Sequence, residues 1–104
     1  MKPSVRTPLP GPKAWALLER GERVLSPSYV RPYPFVPARG QGAFLEDVDG
    51  NLFLDFMSGI AVNTTGYAHP KVVEAVRAQA ERFAHVCFSD FTHEPTPSLA
   101  ARLV

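Results

Sequence analysis

The rhythm of apolar and polar positions changes several times along the chain, and each rhythm predicts a different element. After Pro12, the run Ala14-Trp15-Ala16-Leu17-Leu18-Glu19-Arg20 has helical spacing, and Gly21 stands where a left-handed cap would close a short helix. From Ser26 to Pro37, prolines alternate with Tyr29, Val30, Tyr33, Phe35 and Val36, a pattern of extended backbone anchored by aromatic side chains. Arg39-Gly40-Gln41-Gly42 reads as a turn. Two apolar runs follow, Ala43-Phe44-Leu45-Glu46 and Leu52-Phe53-Leu54-Asp55-Phe56. They are joined by Asp47-Val48-Asp49-Gly50-Asn51, whose Asp-Gly step favours positive φ, so the segment predicts a β-hairpin.

Met57 to Tyr67 is rich in small residues, contains Gly59 and Gly66, and keeps no steady period, which predicts a loop. His69-Pro70 then opens a helix with Val73, Val76, Ala80 and Phe83 on one face, and Lys71, Glu74, Arg77, Glu81 and Arg82 largely opposite. Beyond Pro95 and Pro97, the spacing in Ser98–Val104 predicts the start of another helix. The chain stops inside that pattern, so it is expected to be a truncated part of a larger domain.

Composition sharpens the division. Of 11 prolines, eight precede residue 40, and proline both removes a backbone donor and pushes its predecessor to extended conformations. Residues 1–41 are therefore expected to form a proline-rich arm with one short helix, and residues 42–104 the hairpin, loop and helices. The formal charge of +1, with both signs interspersed, argues against nucleic acid or an anionic membrane as partner. No apolar run approaches the roughly 18 residues of a membrane span. Met1–Pro10 lacks the apolar middle of a signal peptide and Cys87 has no cysteine to pair with, so a cytoplasmic location is the default expectation.

Candidate chemistry is sparse. Asp47-Val48-Asp49-Gly50-Asn51 has the look of a calcium loop, but its glycine and the residue at the final ligand position, Ser58, are wrong for one, which leaves a hairpin turn. His69, His85, His93 and Cys87 lack metal-ligand spacing, and Asp90 with Glu94 fits solvated or capping carboxylates. Neither a glycine-rich phosphate loop nor a nucleophile elbow is present. Motif physics leaves the reaction type open. The best site candidate is the loop Ser58–Gly66, since small residues after a strand let a ligand approach the backbone.

Taken in order, Gly42-Ala43-Phe44-Leu45, Asp47-Val48-Asp49-Gly50-Asn51, Leu54-Asp55-Phe56, Gly59-Ile60-Ala61-Val62-Asn63, Gly66 and His69-Pro70 resemble the amino-terminal signature of class-III aminotransferases. Ser26-Pro27-Ser28-Tyr29 upstream and Asp90-Phe91 with Glu94-Pro95 downstream extend the likeness over nearly all of Gly11–Val104. The resemblance implies an α/β enzyme of fold-type I, of which this α+β segment supplies the amino-terminal part of the small domain: arm, short helix, hairpin and amphipathic helix. It implies pyridoxal 5'-phosphate as cofactor and a homodimer or higher homo-oligomer. The reaction implied moves an amino group from an ω-amino acid of 4-aminobutyrate, acetylornithine or ornithine type to a 2-oxo acid such as 2-oxoglutarate. By the same resemblance Ile60 lines the substrate pocket, Val30 and Arg31 reach it from the arm, and Phe88 and Ser89 approach it from beyond the helix.

No catalytic, cofactor-binding or metal-binding residue is assigned to the chain. The family's phosphate loop, ring-nitrogen aspartate and Schiff-base lysine fall beyond Val104, and Lys2, Lys13 and Lys71 are no substitutes, so the chain alone is expected to be inactive and not to bind the cofactor. Tyr67 stands where the family usually has histidine and is expected to alter only local packing. Two alternatives stay open: a non-catalytic remnant or interaction module, and an aminomutase of the same cofactor class.

Overall fold

Helix α1 (Pro12–Val24) begins where proline is tolerated, since the first helical N–H groups have no intrahelical acceptor. A computed structural model describes residues 1–104, and in it this helix runs further than its sequence pattern predicts. Gly21 is not the cap. The helix passes through it and closes with the Leu25 N–H on the Gly21 carbonyl at 2.9 Å. Glu22 and Arg23 are good helix formers and Arg23 pairs with Glu19 at 2.8 Å. A mid-helix glycine costs only about 1 kcal/mol relative to alanine, which another helical turn offsets.

Three short antiparallel strands follow in the order β1 (Pro37–Gln41), β2 (Phe44–Asp47) and β3 (Leu52–Leu54). The hairpin β2–β3 forms as its sequence predicts, with Leu45 opposite Phe53 and Gly50 at φ 83° in the turn. Strand β1 is a correction. The stretch read as a turn from Arg39 to Gly42 is strand through Gln41, and the reversal falls after it, with Gln41 opposite Phe44. Proline is confined to the first residue of β1, where a missing donor is tolerated, and a register shift separates Pro37 from Arg39. Arg39 and Glu46, partners across the ladder, add an ion pair at 2.7 Å.

What holds residues 1–70 together is polar. Ala14 is the one buried apolar side chain, whereas Asn51 and Asp47 are among the most enclosed residues of the chain at 0 % and 3 % exposure. Asn51 Oδ1 accepts the backbone N–H groups of Arg6 and Thr7, at 2.6 and 3.0 Å. Its Nδ2 donates to Thr7 Oγ1 at 2.8 Å and to Asp47 Oδ2 at 2.7 Å. Asp47 Oδ1 in turn accepts the N–H groups of Asp49 and Asn51. Asp49 reaches outward instead: its two oxygens each accept at 2.9 Å, from the N–H groups of Lys13 and Ala14.

The hairpin turn thus supplies, from 36 residues away, the acceptors that helix α1 lacks locally, because its N-cap Gly11 has no side chain. Gly11 is required there: a Cβ would fall on the Asp49 carboxyl group. Ser4 completes the tie by exchanging two backbone hydrogen bonds of 2.8 Å with Leu52 on the free edge of β3. The arm is therefore lashed to the hairpin at both Ser4–Thr7 and Lys13–Ala14. Phe35 adds an edge-to-face contact with Phe53 at 5.2 Å between ring centres.

After β3, the region expected as a loop contains one short turn, α2 (Ser58–Ala61). Residues Met1–Pro70 make one compact unit and Lys71–Val104 a second. The second consists largely of α3 (Pro70–Ala80) and α4 (Pro95–Leu103). Helix α4 starts at Pro95, three residues earlier than its apolar pattern implies, because both prolines fit within a first turn that needs no N–H donors. In this unit the His93 ring meets Phe83 and Phe88 edge-to-face at 6.0 and 5.7 Å. No residue of α3 or α4 is buried, so the face carrying Val76 remains open.

Candidate functional site

The segment from Asp55 to Tyr67 is built on a carboxylate. Asp55 is fixed to the end of the hairpin by its own N–H, which donates to the Ala43 carbonyl at 2.8 Å. Its Oδ1 accepts the Met57 N–H at 2.8 Å, and its Oδ2 accepts both the Ser58 N–H at 3.0 Å and the Tyr67 hydroxyl at 2.7 Å. The far end is held as firmly. Tyr67 exchanges backbone hydrogen bonds of 2.9 and 2.8 Å with Gly42, and its side chain packs against Gly40, where a Cβ would stand 2.5 Å from Tyr67 Cγ.

Between these anchors the backbone turns left-handed. Ser58, Gly59, Ile60 and Ala61 have φ of 50°, 64°, 62° and 61°. Side chains disfavour that region, and for a β-branched residue such as Ile60 it is a genuine outlier. Ala61 N–H on Met57 O and Asn63 N–H on Ser58 O, both at 2.9 Å, close the turn. Its product is an isoleucine held out from the surface: Ile60 is 82 % exposed, and Phe56 and Val62 stand exposed around it.

The electrostatics follow from the same contacts. The Tyr67 hydroxyl, then the Met57 N–H, hold the Asp55 carboxyl below its ordinary value of 3.8. The carboxylate, as hydrogen-bond acceptor and neighbouring charge, together with partial burial, pushes the Tyr67 phenol above 10.0. Tyr67 therefore does more than alter packing: its hydroxyl donates a hydrogen bond to the Asp55 carboxylate.

Val30 is 84 % exposed, and Arg31 Nη1 reaches only the Tyr29 carbonyl, at 3.3 Å. Arg31 borders a groove of about 500 Å³ with Trp15, Leu18, Leu25 and Tyr33, and Ile60 is not part of that lining. Within residues 1–70 the arm residues and the turn are thus separate features. In the second unit, Phe88 packs on His93, while Ser89 Oγ lies 3.1 Å from Cys87 Sγ. No three His, Cys, Asp or Glu side chains converge.

Lys2, Lys13 and Lys71 are all exposed, and no lysine lines the 500 Å³ groove or a smaller concavity of about 240 Å³ beside β1. An aldehyde cofactor held as an imine needs an amine in a pocket, and neither concavity offers one. What they form is a scaffold with a strained, apolar tip. Sequence reasoning located that tip but missed its two anchors, because nothing in the 12-residue separation of Asp55 and Tyr67 marks them as partners.

The profile of the class-III aminotransferase family matches residues 25–104. Over 104 aligned residues the chain is 47% identical to an alanine/serine racemase of Pyrococcus horikoshii, covering 98% of this chain and 22% of that protein. It is 57% identical over 65 residues to an acetylornithine aminotransferase of Bifidobacterium longum, covering 62% of this chain and 15% of that protein. The crystal structure of acetylornithine aminotransferase from Elizabethkingia anophelis superposes with a TM-score of 0.77 at 30% identity, over 86% of this chain and 23% of that one. The chain thus spans about a fifth of the length of such relatives. Its helices and three-stranded sheet are a fragment of the small domain of fold-type I pyridoxal-phosphate transferases. With the profile covering most of its length, the chain belongs to the class-III aminotransferase family.

Proposed function

We propose that this chain is the amino-terminal segment of a pyridoxal-phosphate-dependent aminotransferase. The complete protein moves an amino group from an ω-amino acid or similar amine, of 4-aminobutyrate, acetylornithine or ornithine type, to a 2-oxo acid such as 2-oxoglutarate. The chain's share is a wall of the substrate pocket, with Ile60 at its tip, Val30 and Arg31 contributed by the arm (residues 1–41) and Phe88 and Ser89 by the remainder (42–104). The cofactor site, including the imine-forming lysine, lies in the large domain, and the protein assembles as a homodimer or higher oligomer.

The observation that carries this reading is the exposed left-handed turn at Ile60. A strained backbone maintained by dedicated anchors, with its apolar tip covered by nothing in its own unit, suits a surface that closes against a ligand. The test compares the isolated chain with the complete protein carrying it. Mixed with pyridoxal phosphate, the chain should show no imine absorption band and no amino transfer, and the complete protein both. An imine band from the chain by itself would overturn the division of labour.

A second reading is favoured by the 47% identity to a protein named as a racemase. Here the complete enzyme inverts the α-carbon of a small amino acid and releases no 2-oxo product. Incorporation of solvent deuterium at the α-carbon with inversion, and without conversion of 2-oxoglutarate, selects it over transfer.

A further inference from the structure

Three residues other than glycine with positive φ within four successive positions do not persist without something that over-determines them, and in Met1–Pro70 that something is identifiable. Ser58, Ile60 and Ala61 each sit in a conformation that their side chains disfavour. The turn has no buried side chain, so packing does not hold it. Its entry is held instead by Asp55, which accepts the N–H groups of Met57 and Ser58, and its exit by Tyr67, which is paired with Gly42 and seated on Gly40. One bond, Tyr67 hydroxyl to Asp55 Oδ2 at 2.7 Å, joins entry to exit and closes the strap into a ring.

We propose that Asp55 and Tyr67 are positioning residues: their hydrogen bond is a clasp that keeps the Ser58–Ala61 turn left-handed and so sets the direction in which Ile60 is presented to substrate. The functional half of this statement rests on the reading of Ile60 as pocket wall. The structural half does not. Neither residue touches the reacting atoms; both act through the backbone of the turn. The charge states agree with the geometry, since the carboxyl is shifted toward its ionised form and the phenol toward its protonated form. Asp55 Oδ2 serves Ser58 and Tyr67 together, so losing the phenol frees the carboxylate to swing away from the turn.

Tyr67→Phe is the clean perturbation, because the ring that rests on Gly40 stays and only the donor goes. Asp55→Asn is the companion, keeping one acceptor oxygen and replacing the other by a donor. In the complete, cofactor-loaded protein, amide exchange over Phe56–Asn63 should become about tenfold faster in Tyr67→Phe, while Phe44–Leu54 exchanges as before and so confirms that the hairpin is folded. KM for the amine should rise about five- to tenfold with kcat nearly unchanged, the pattern of altered substrate contact rather than altered chemistry. Unchanged exchange in both variants overturns the clasp. Faster exchange with unchanged KM overturns its role in presenting Ile60, provided that Ile60→Ala still raises KM. If Ile60→Ala is itself silent, the pocket-wall reading is what has failed.

Discussion

Removing the Asn51 side chain probes the polar knot that takes the place of a hydrophobic core in residues 1–70. Asn51 is fully enclosed, accepts two backbone N–H groups from the arm and donates to Thr7 and Asp47. Asn51→Ala deprives the Arg6 and Thr7 amides of their acceptor and Asp47 Oδ2 of its donor. Asp47 Oδ1 keeps the Asp49 and Asn51 N–H groups, so the turn itself survives. An orphaned buried donor costs about 1–3 kcal/mol, and water reaches the partly open arm, which sets the total for two donors at about 3 kcal/mol. At about 1.4 kcal/mol per factor of ten, the arm should open about a hundredfold more often.

Residue-resolved amide exchange reads this directly. Arg6, Thr7 and the Ser4-bonded Leu52 should lose about two decades of protection in Asn51→Ala, and the β2–β3 ladder much less. Asn51→Asp should be as damaging despite its similar size, because it sets an oxygen instead of an amide against Asp47 Oδ2 at about 2.7 Å. Protection that persists at Arg6 and Thr7 in both variants would show that the arm is held by something other than this side chain.

Asp49→Ala strips the acceptors from the Lys13 and Ala14 N–H groups and should destabilise the start of α1 by about 1 kcal/mol, seen as lost far-UV helicity that Asp49→Asn partly restores. The Asp55–Tyr67 clasp should have two pH limits. A depressed carboxyl stabilises above 3.8 and is lost as pH falls through its lowered value, whereas a raised phenol stabilises below 10.0 and is lost as pH rises through its higher value. Phenolate absorbance of the protein minus that of Tyr67→Phe should titrate above 10.0, and a midpoint at or below that value would contradict the geometry. Ile60→Gly should stabilise the turn by roughly 0.5–1 kcal/mol in denaturant titration, relief of side-chain strain outweighing glycine's entropy, while weakening substrate binding.

The hairpin, the helix after His69 and the family signature were legible in the sequence because each depends on local preferences: period-two and period-3.6 spacing, the Asp-Gly step, proline at a helix start. Local preference also misled. Gly21 resembles a cap and Arg39-Gly40-Gln41-Gly42 a turn, but good helix formers carry α1 on to Val24, and pairing with β2 turns Pro37–Gln41 into a strand. The candidate site divides in the same way. Small residues marked Ser58–Gly66 as a place where a ligand could approach, yet no spacing rule announces that the four successive residues Ser58 to Ala61 turn left-handed.

Only the tertiary structure decided the roles of Asp47, Asp49, Asn51, Asp55 and Tyr67. The contacts that tie the fold together lie far off in sequence: Asn51 meets Arg6 across 45 residues, Asp49 meets Lys13 across 36 and Tyr67 meets Asp55 across 12. The physical reason is that an acceptor oxygen carries no record of which donor it will find. Hydrophobic periodicity specifies a face, but a hydrogen bond specifies a partner, and that choice is made when the chain closes on itself.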